Sequence, residues 1–217
     1  MKLITNPDEF FAELKTKDGS IKIPILIIIG IAILGSISYY FFINKIIKFL
    51  GIFPENIVQI LTVGAYITTL ITIFVIWLII TVIVYGLSAL FGGEGSFYRT
   101  FTFIGYGFLP SLIGSLITTP ISVYYIMNAE IPEIDLTQLE QNPEIIDALI
   151  TSLLPNEIIY STLIINIAMI VWSLVIWSFA LKHAREIDLR KAFICVLIPT
   201  VPLVIYQIWS VLTSSPP

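Results

Sequence analysis

The chain has 217 residues, 57% of them hydrophobic and 12% charged, with a formal net charge of −4. Charged residues run at about half the ~25% of an ordinary soluble domain, and the mean hydropathy is +0.97. That balance excludes a soluble enzyme and a disordered chain, and it leaves no basic field to draw in nucleic acid.

In chain order, the first signal is Asn6-Pro7-Asp8-Glu9. Asn suits an N-cap, Pro the first helical position, and acids the first turn. Phe10, Phe11 and Leu14 then share one face, with Glu13 and Lys17 on the other. Residues 1–22 are therefore predicted to form a cytoplasmic amphipathic segment lying on the membrane interface, a clamp for the first span rather than a docking helix. From residue 23 onward every charge falls outside five uncharged windows: Ile23–Asn44, Asn56–Gly93, Thr100–Ala129, Ile158–Leu181 and Ala192–Pro217. A helix needs about 20 apolar residues to cross a ~30 Å hydrocarbon core, so each window holds one span. The second window is long but has no polar hairpin near Thr72–Ile76, and it reads as one tilted or overhanging helix. Hydrocarbon cannot satisfy an open strand, and the solid apolar runs lack the alternation of a barrel. The predicted fold is all-α: a polytopic integral membrane bundle over 23–217, with spans about 24–43, 58–91, 101–126, 158–181 and 193–212.

Lysine and arginine set the orientation. With the N-terminus inside, nine of the basic residues lie on the cytoplasmic side and two, Lys45 and Lys48, lie outside. The positive-inside rule selects N-in and C-out. The third connection, Glu130 to Glu157, carries seven acids and no base. It lacks an Asp-x-Asp-x-Asp-Gly pattern, so a solvated face is preferred to a cation site, and Asn142-Pro143-Glu144 marks a short helix start within it.

Chemistry inside the spans is sparse. No Asp, Glu, Lys, Arg or His falls in any window, which weakens an ion-coupled carrier. There is no His-Glu-x-x-His, and Gly93-Glu94-Gly95-Ser96-Phe97 only superficially matches a serine elbow, with one histidine, His183, in the whole chain. The lone Cys195 excludes an internal disulfide; it and His183 read as structural or incidental. No catalytic residue, cofactor or metal is expected. Pro110 is predicted to kink the third span and free the Tyr106 carbonyl, as Pro120, Pro199 and Pro202 free those of Leu116, Cys195 and Ile198. Gly107, Ser111 and Ser115 recur every four residues, a small-residue stripe for close helix approach. Asn166 is expected to bond between helices. Gly92, Gly93 and Gly95 predict a helix end and a turn with φ > 0. Ser96 then caps the next helix, and Arg99 in its first turn snorkels to lipid phosphate or pairs with Glu94.

The stretch Gly92-Gly93-Glu94-Gly95-Ser96-Phe97-Tyr98-Arg99-Thr100-Phe101, followed by Gly105-Tyr106-Gly107-Phe108-Leu109-Pro110, resembles the YIP family of Ypt/Rab-GTPase-interacting membrane proteins. The opening Asn6-Pro7-Asp8-Glu9-Phe10-Phe11 looks like its prokaryotic branch. The resemblance implies a non-enzymatic five-span protein of a prokaryotic plasma membrane, with Gly92, Gly93, Gly95, Arg99, Gly105, Tyr106 and Pro110 as motif positions. The Asp-Leu-Tyr-Gly-Pro motif of the eukaryotic branch is missing, so Rab-type GTPase binding is not implied. The expected role is a scaffold or adaptor acting by helix packing with itself or another membrane protein. The alternative is a small permease or channel-like component built on the kinked third and fifth spans.

Overall fold

A computed structural model describes residues 2–17, 19–50, 54–130 and 153–214. The acidic connection from 131 to 152, with its expected short helix, lies outside the described residues. Among the described residues every regular element is an α-helix: α1 (Lys2–Thr5), α2 (Pro7–Thr16), α3 (Lys22–Leu50), α4 (Glu55–Leu90), α5 (Phe97–Tyr106), α6 (Leu109–Asn128), α7 (Asn156–Arg185) and α8 (Leu189–Ser214). Five stretches are long and apolar enough to cross a membrane: Lys22–Ile47, Asn56–Leu90, Phe97–Asn128, Asn156–Arg185 and Leu189–Thr213. The second is one uninterrupted helix of 36 residues. At 1.5 Å per residue it is about 54 Å long, well beyond the hydrocarbon thickness, so it tilts or overhangs.

The third span is the centre of the bundle. In its most apolar window 56% of residues are buried, against 17–28% in the other four, most of whose side chains face away from the bundle. It touches α3, α4 and α7, while α8 packs on α7 and α4. Its helix does not bend at Pro110; it stops and restarts. Gly107 N–H donates to Ile104 O at 3.0 Å and Phe108 N–H to Gly105 O at 3.3 Å, tightening the end of α5. Pro110 then sits in the first turn of α6, where a helix has no use for its missing N–H. The break costs less than a kink would, because the proline lies where the ladder has already ended.

Helix α2 forms as its first residues predict. Asn6 Oδ1 accepts the Glu9 N–H at 3.3 Å, with Pro7 at the first helical position. Its apolar face does not rest on the interface alone. Phe11 is fully buried, its ring centroid 5.4 Å from that of Phe103, and Phe10 meets Tyr106 edge-on at 5.3 Å. The amphipathic segment is thus docked into the end of the bundle that carries the glycine turn and the α7–α8 junction. Burying a phenylalanine side chain contributes roughly 1.5–3 kcal/mol, which fixes the helix there.

Candidate functional site

The polar contacts of this protein gather at the end that the charge count assigns to the cytoplasm. Three segments meet there: the glycine turn after α4, the α7–α8 junction, and α2.

The glycine turn wraps an arginine. Gly92 and Gly95 take φ values of +76° and +107°, the left-handed region where only glycine is unstrained. Gly93 does not, contrary to the expectation of a positive φ there. Its need is space: a Cβ on Gly93 would stand 2.7 Å from Ser88 O, and one on Gly95 would stand 2.4 Å from Ala184 O. Into this cradle comes Arg185, 4% exposed. Its Nε donates to Ser88 Oγ at 2.8 Å, one terminal nitrogen to Gly95 O, and the other to Gly93 O at 2.5 Å. The guanidinium also lies over the Tyr85 ring, 4.1 Å from its centroid. Reciprocally, Glu94 N–H donates to Arg185 O at 2.8 Å. The turn and the end of α7 are therefore one hydrogen-bonded unit. A fully charged, planar donor with a satisfied partner on each side is how an arginine is buried without a carboxylate.

The next residue, Glu186, ends α7 in a left-handed conformation at φ 57°, unusual for a non-glycine. Its carboxylate is tied down from outside: Lys15 Nζ lies 2.7 Å away and Arg99 3.4 Å away. Arg99 thus pairs with Glu186, where the sequence had suggested either lipid phosphate or Glu94. Ser96 caps α5 as expected, accepting the Arg99 N–H at 3.2 Å. On the neighbouring turn Asp8 Oδ1 accepts from Lys182 Nζ at 2.6 Å and lies 2.6 Å from His183 Nε2. Lys182, and then His183, hold the Asp8 carboxyl below its usual range; Lys15, and then Arg99, do the same for Glu186. His183 is therefore a partner of the N-terminal helix and not incidental.

Further into the bilayer, the carbonyls of α5 are covered by indoles. Trp77 Nε1 donates to Phe101 O at 2.9 Å and stacks on the Phe101 ring at 3.9 Å; Trp177 Nε1 donates to Ile104 O at 2.8 Å. Glycines admit both rings. A Cβ on Gly105 would lie 2.6 Å from Trp77, and one on Gly107 would lie 2.1 Å from Trp177. Tyr106 is buried, with its hydroxyl donating to Ser20 O at 3.3 Å. Ser111 and Ser115 are half-buried, and Ser115 Oγ donates to Ser111 O within α6. Close approach below the break is made by Gly114, whose Cβ would lie 2.8 Å from Met169. Asn166 lies in a groove of about 390 Å³ with Ser122, Thr162, Gln207 and Ser210, and its side chain has no hydrogen bond to a described residue. The structure thus brings Gly92, Gly93, Gly95 and Arg99 together at one end. Gly105, Tyr106, Gly107 and Pro110 sit at the helix break, and Asn166 stands apart near the outer half. Arg185, Glu186, Trp77 and Trp177 escaped the sequence reading, although a buried arginine could have been sought as the partner for carbonyls exposed by a glycine turn.

A family model described as the Yip1 domain matches residues 1–212. The chain belongs to the Yip1 family. Uncharacterized protein MJ0794 of Methanocaldococcus jannaschii is 44% identical over 127 residues, which cover 57% of this chain and 88% of that protein. No solved structure matches. Yip1 proteins are non-catalytic membrane proteins, and the archaeal relative agrees with the prokaryotic branch suggested by the N-terminal motif. The match runs through the Yip1 glycine turn, the Gly-Tyr-x-x-x-Pro break and α2, which are the three features the geometry joins.

Proposed function

We propose that this chain is a non-enzymatic membrane scaffold or adaptor of a prokaryotic plasma membrane, working by helix packing with a second membrane protein or a second copy. The closed inner half supports this reading most. In the broken third span, which a permease would use to bare carbonyls to a substrate, Phe101 O and Ile104 O are bonded to Trp77 and Trp177 and the flank is filled by Phe11, Phe103 and Tyr106. Asn166 and Tyr106, the polar groups a substrate path would have to join, do not lie together. Gly107 abuts Trp177, and eleven residues of α7 separate Trp177 from Asn166, about 16 Å of helix. The groove holding Asn166 and the unpartnered Gln207 Oε1 is a place where a partner helix can supply a hydrogen bond.

The reading is tested by purification in mild detergent alongside reconstitution. A stoichiometric membrane-protein complex or homo-oligomer, weakened by Asn166→Leu, is expected. Proteoliposomes should leak small solutes no faster than empty vesicles. A monomer that conducts a solute would instead establish the permease alternative.

A further inference from the structure

A cavity of about 630 Å³ opens beside the arginine cradle, at the same end of the bundle, its wall including Lys15, Ile21, Lys22, Arg99, Thr102 and Phe103. That volume is in the range of small-molecule sites. Three cations border it, and the carboxylate of Glu186 bridges two of them, Lys15 and Arg99. Lys22 has no anionic partner among the described residues, so the wall carries surplus positive charge. Two helix N-termini reach the same cavity, α3 at Lys22 and α5 at Phe97. The first N–H groups of a helix have no internal carbonyl and favour an anion. An independent observation lies in the wall itself. Thr102 is 1% exposed, and its hydroxyl has no hydrogen-bond partner. A buried hydroxyl left without a partner is costly, and it marks a place where a ligand oxygen completes the set.

We propose that this cavity binds a phosphate group, presented as the phosphodiester headgroup of an anionic lipid from the cytoplasmic leaflet. Depth selects the lipid as its source. Lys22 opens the first span and Arg99 the third, so the cations lie at the headgroup level, where basic pockets between spanning helices take anionic headgroups. Leu14, Ile21 and Phe103 provide apolar wall beside the polar floor, as a headgroup with its glycerol requires. The bound phosphate takes Lys22 directly, competes with Glu186 for Arg99, and accepts from Thr102 Oγ1. This also gives α2 a reason to be docked: Lys15 on that helix completes the wall.

The test is thermal melting of the full chain in a non-ionic detergent, titrated with dioctanoyl phosphatidylglycerol, dioctanoylglycerol or inorganic phosphate. The phosphatidylglycerol should raise Tm saturably by about 5 °C, as a ligand that binds only the folded state does. The phosphate-free diacylglycerol should not, and inorganic phosphate should need far higher concentrations. Lys22→Gln should lose at least half of the rise, and Lys191→Gln, a lysine at the same end outside the cavity, should keep it. Thr102→Val keeps the shape and removes the unpartnered hydroxyl, so without lipid it should melt no lower than the wild type, yet respond less. An equal rise with diacylglycerol would overturn the site, and so would equal responses from Lys22→Gln and the wild type. Inorganic phosphate matching the lipid at equal concentration would overturn the lipid as the source.

Discussion

Two arginines at the cytoplasmic end provide a quantitative contrast. Arg185→Met keeps most of the aliphatic stem and removes the guanidinium with its hydrogen bonds to Ser88 Oγ, Gly93 O and Gly95 O. Hydrogen bonds from a charged donor are worth about 1.5–3 kcal/mol each. Gly93 is half-buried and Gly95 exposed, so water replaces part of the loss at both carbonyls. Ser88, fully buried, has no such substitute at that site. The net cost should be about 3 kcal/mol, near the low end for removing one partner from a buried charge site. For a domain of this size that lowers Tm by roughly 6–12 °C. Arg99→Ala removes one ion pair of 3.4 Å from a side chain that is 34% exposed. Such a pair contributes about 0–1 kcal/mol, so Tm should fall by no more than ~4 °C. Both variants would be purified in the same detergent and melted by intrinsic fluorescence, with Gly93→Val as a third member expected to behave like Arg185→Met. Equal shifts for the two arginines, or a larger one for Arg99, would refute the assignment of Arg185 as the residue that joins the turn to α7.

Four further outcomes follow from the same geometry. Phe11→Ala should cost about 3–5 kcal/mol at the docking face of α2, seen as faster hydrogen exchange over residues 7–16 with little change in α4. Gly107→Ala places a methyl 2.1 Å from the Trp177 ring and forces the indole off Ile104 O, costing about 1–3 kcal/mol; Gly64→Ala, with open space around it, should be neutral or raise Tm as alanine replaces glycine in a helix. Asp8 and Glu186 have lowered carboxyl pKa values in the fold, so the stability they contribute is present above the ordinary carboxylate range near 4 and is lost as pH falls through the depressed values; exchange over residues 7–16 should stay flat from pH 7 to about 5 and rise only below ~4, and a rise already complete by pH 6 would contradict the assignment. Single cysteines at Thr137 and Asp188, in a Cys195→Ser background, should be labelled by an impermeant reagent on intact cells only at Thr137, and labelling of Asp188 alone would reverse the orientation.

The five spans were legible because the bilayer imposes one rule on every stretch: about 20 residues without charge. The N-cap at Asn6, the cap at Ser96 and the unbroken fourth helix were equally legible, since each depends on residues adjacent in sequence. What stayed hidden depends on residues far apart. Arg185 bonds to Ser88, Gly93 and Gly95 across ninety or more positions of chain, and in the sequence it is one of nine basic residues serving the positive-inside rule. Trp77 and Trp177 read as ordinary apolar residues, because an indole N–H shows its partner only once the carbonyl of another helix is placed. Gly93 was legible as a necessary glycine, but for a different reason: its φ is ordinary, and the backbone of Ser88 leaves no room for a Cβ.

The break in the third span shows how these hidden contacts follow from the legible ones. Pro110 cannot continue a helix with full bonding, and α5 ends before it, although Pro120, Pro199 and Pro202 sit inside unbroken helices. An ended helix inside a bilayer leaves carbonyls that neither water nor lipid can satisfy. The N–H groups of Gly107 and Phe108 serve Ile104 O and Gly105 O at that end, and side-chain donors from neighbouring spans add to them, coming close where glycine leaves room. Gly105 and Gly107 admit Trp77 and Trp177, and the two indoles supply the N–H groups. With both indoles in place, α4 and α7 are pinned to the short helix α5. The same α5 carries Arg99 and Thr102 on its cytoplasmic side and receives Phe11 from α2. The break at Pro110 is therefore where α4 and α7 are held against α5, and the same contacts fix the wall of the cavity next to it.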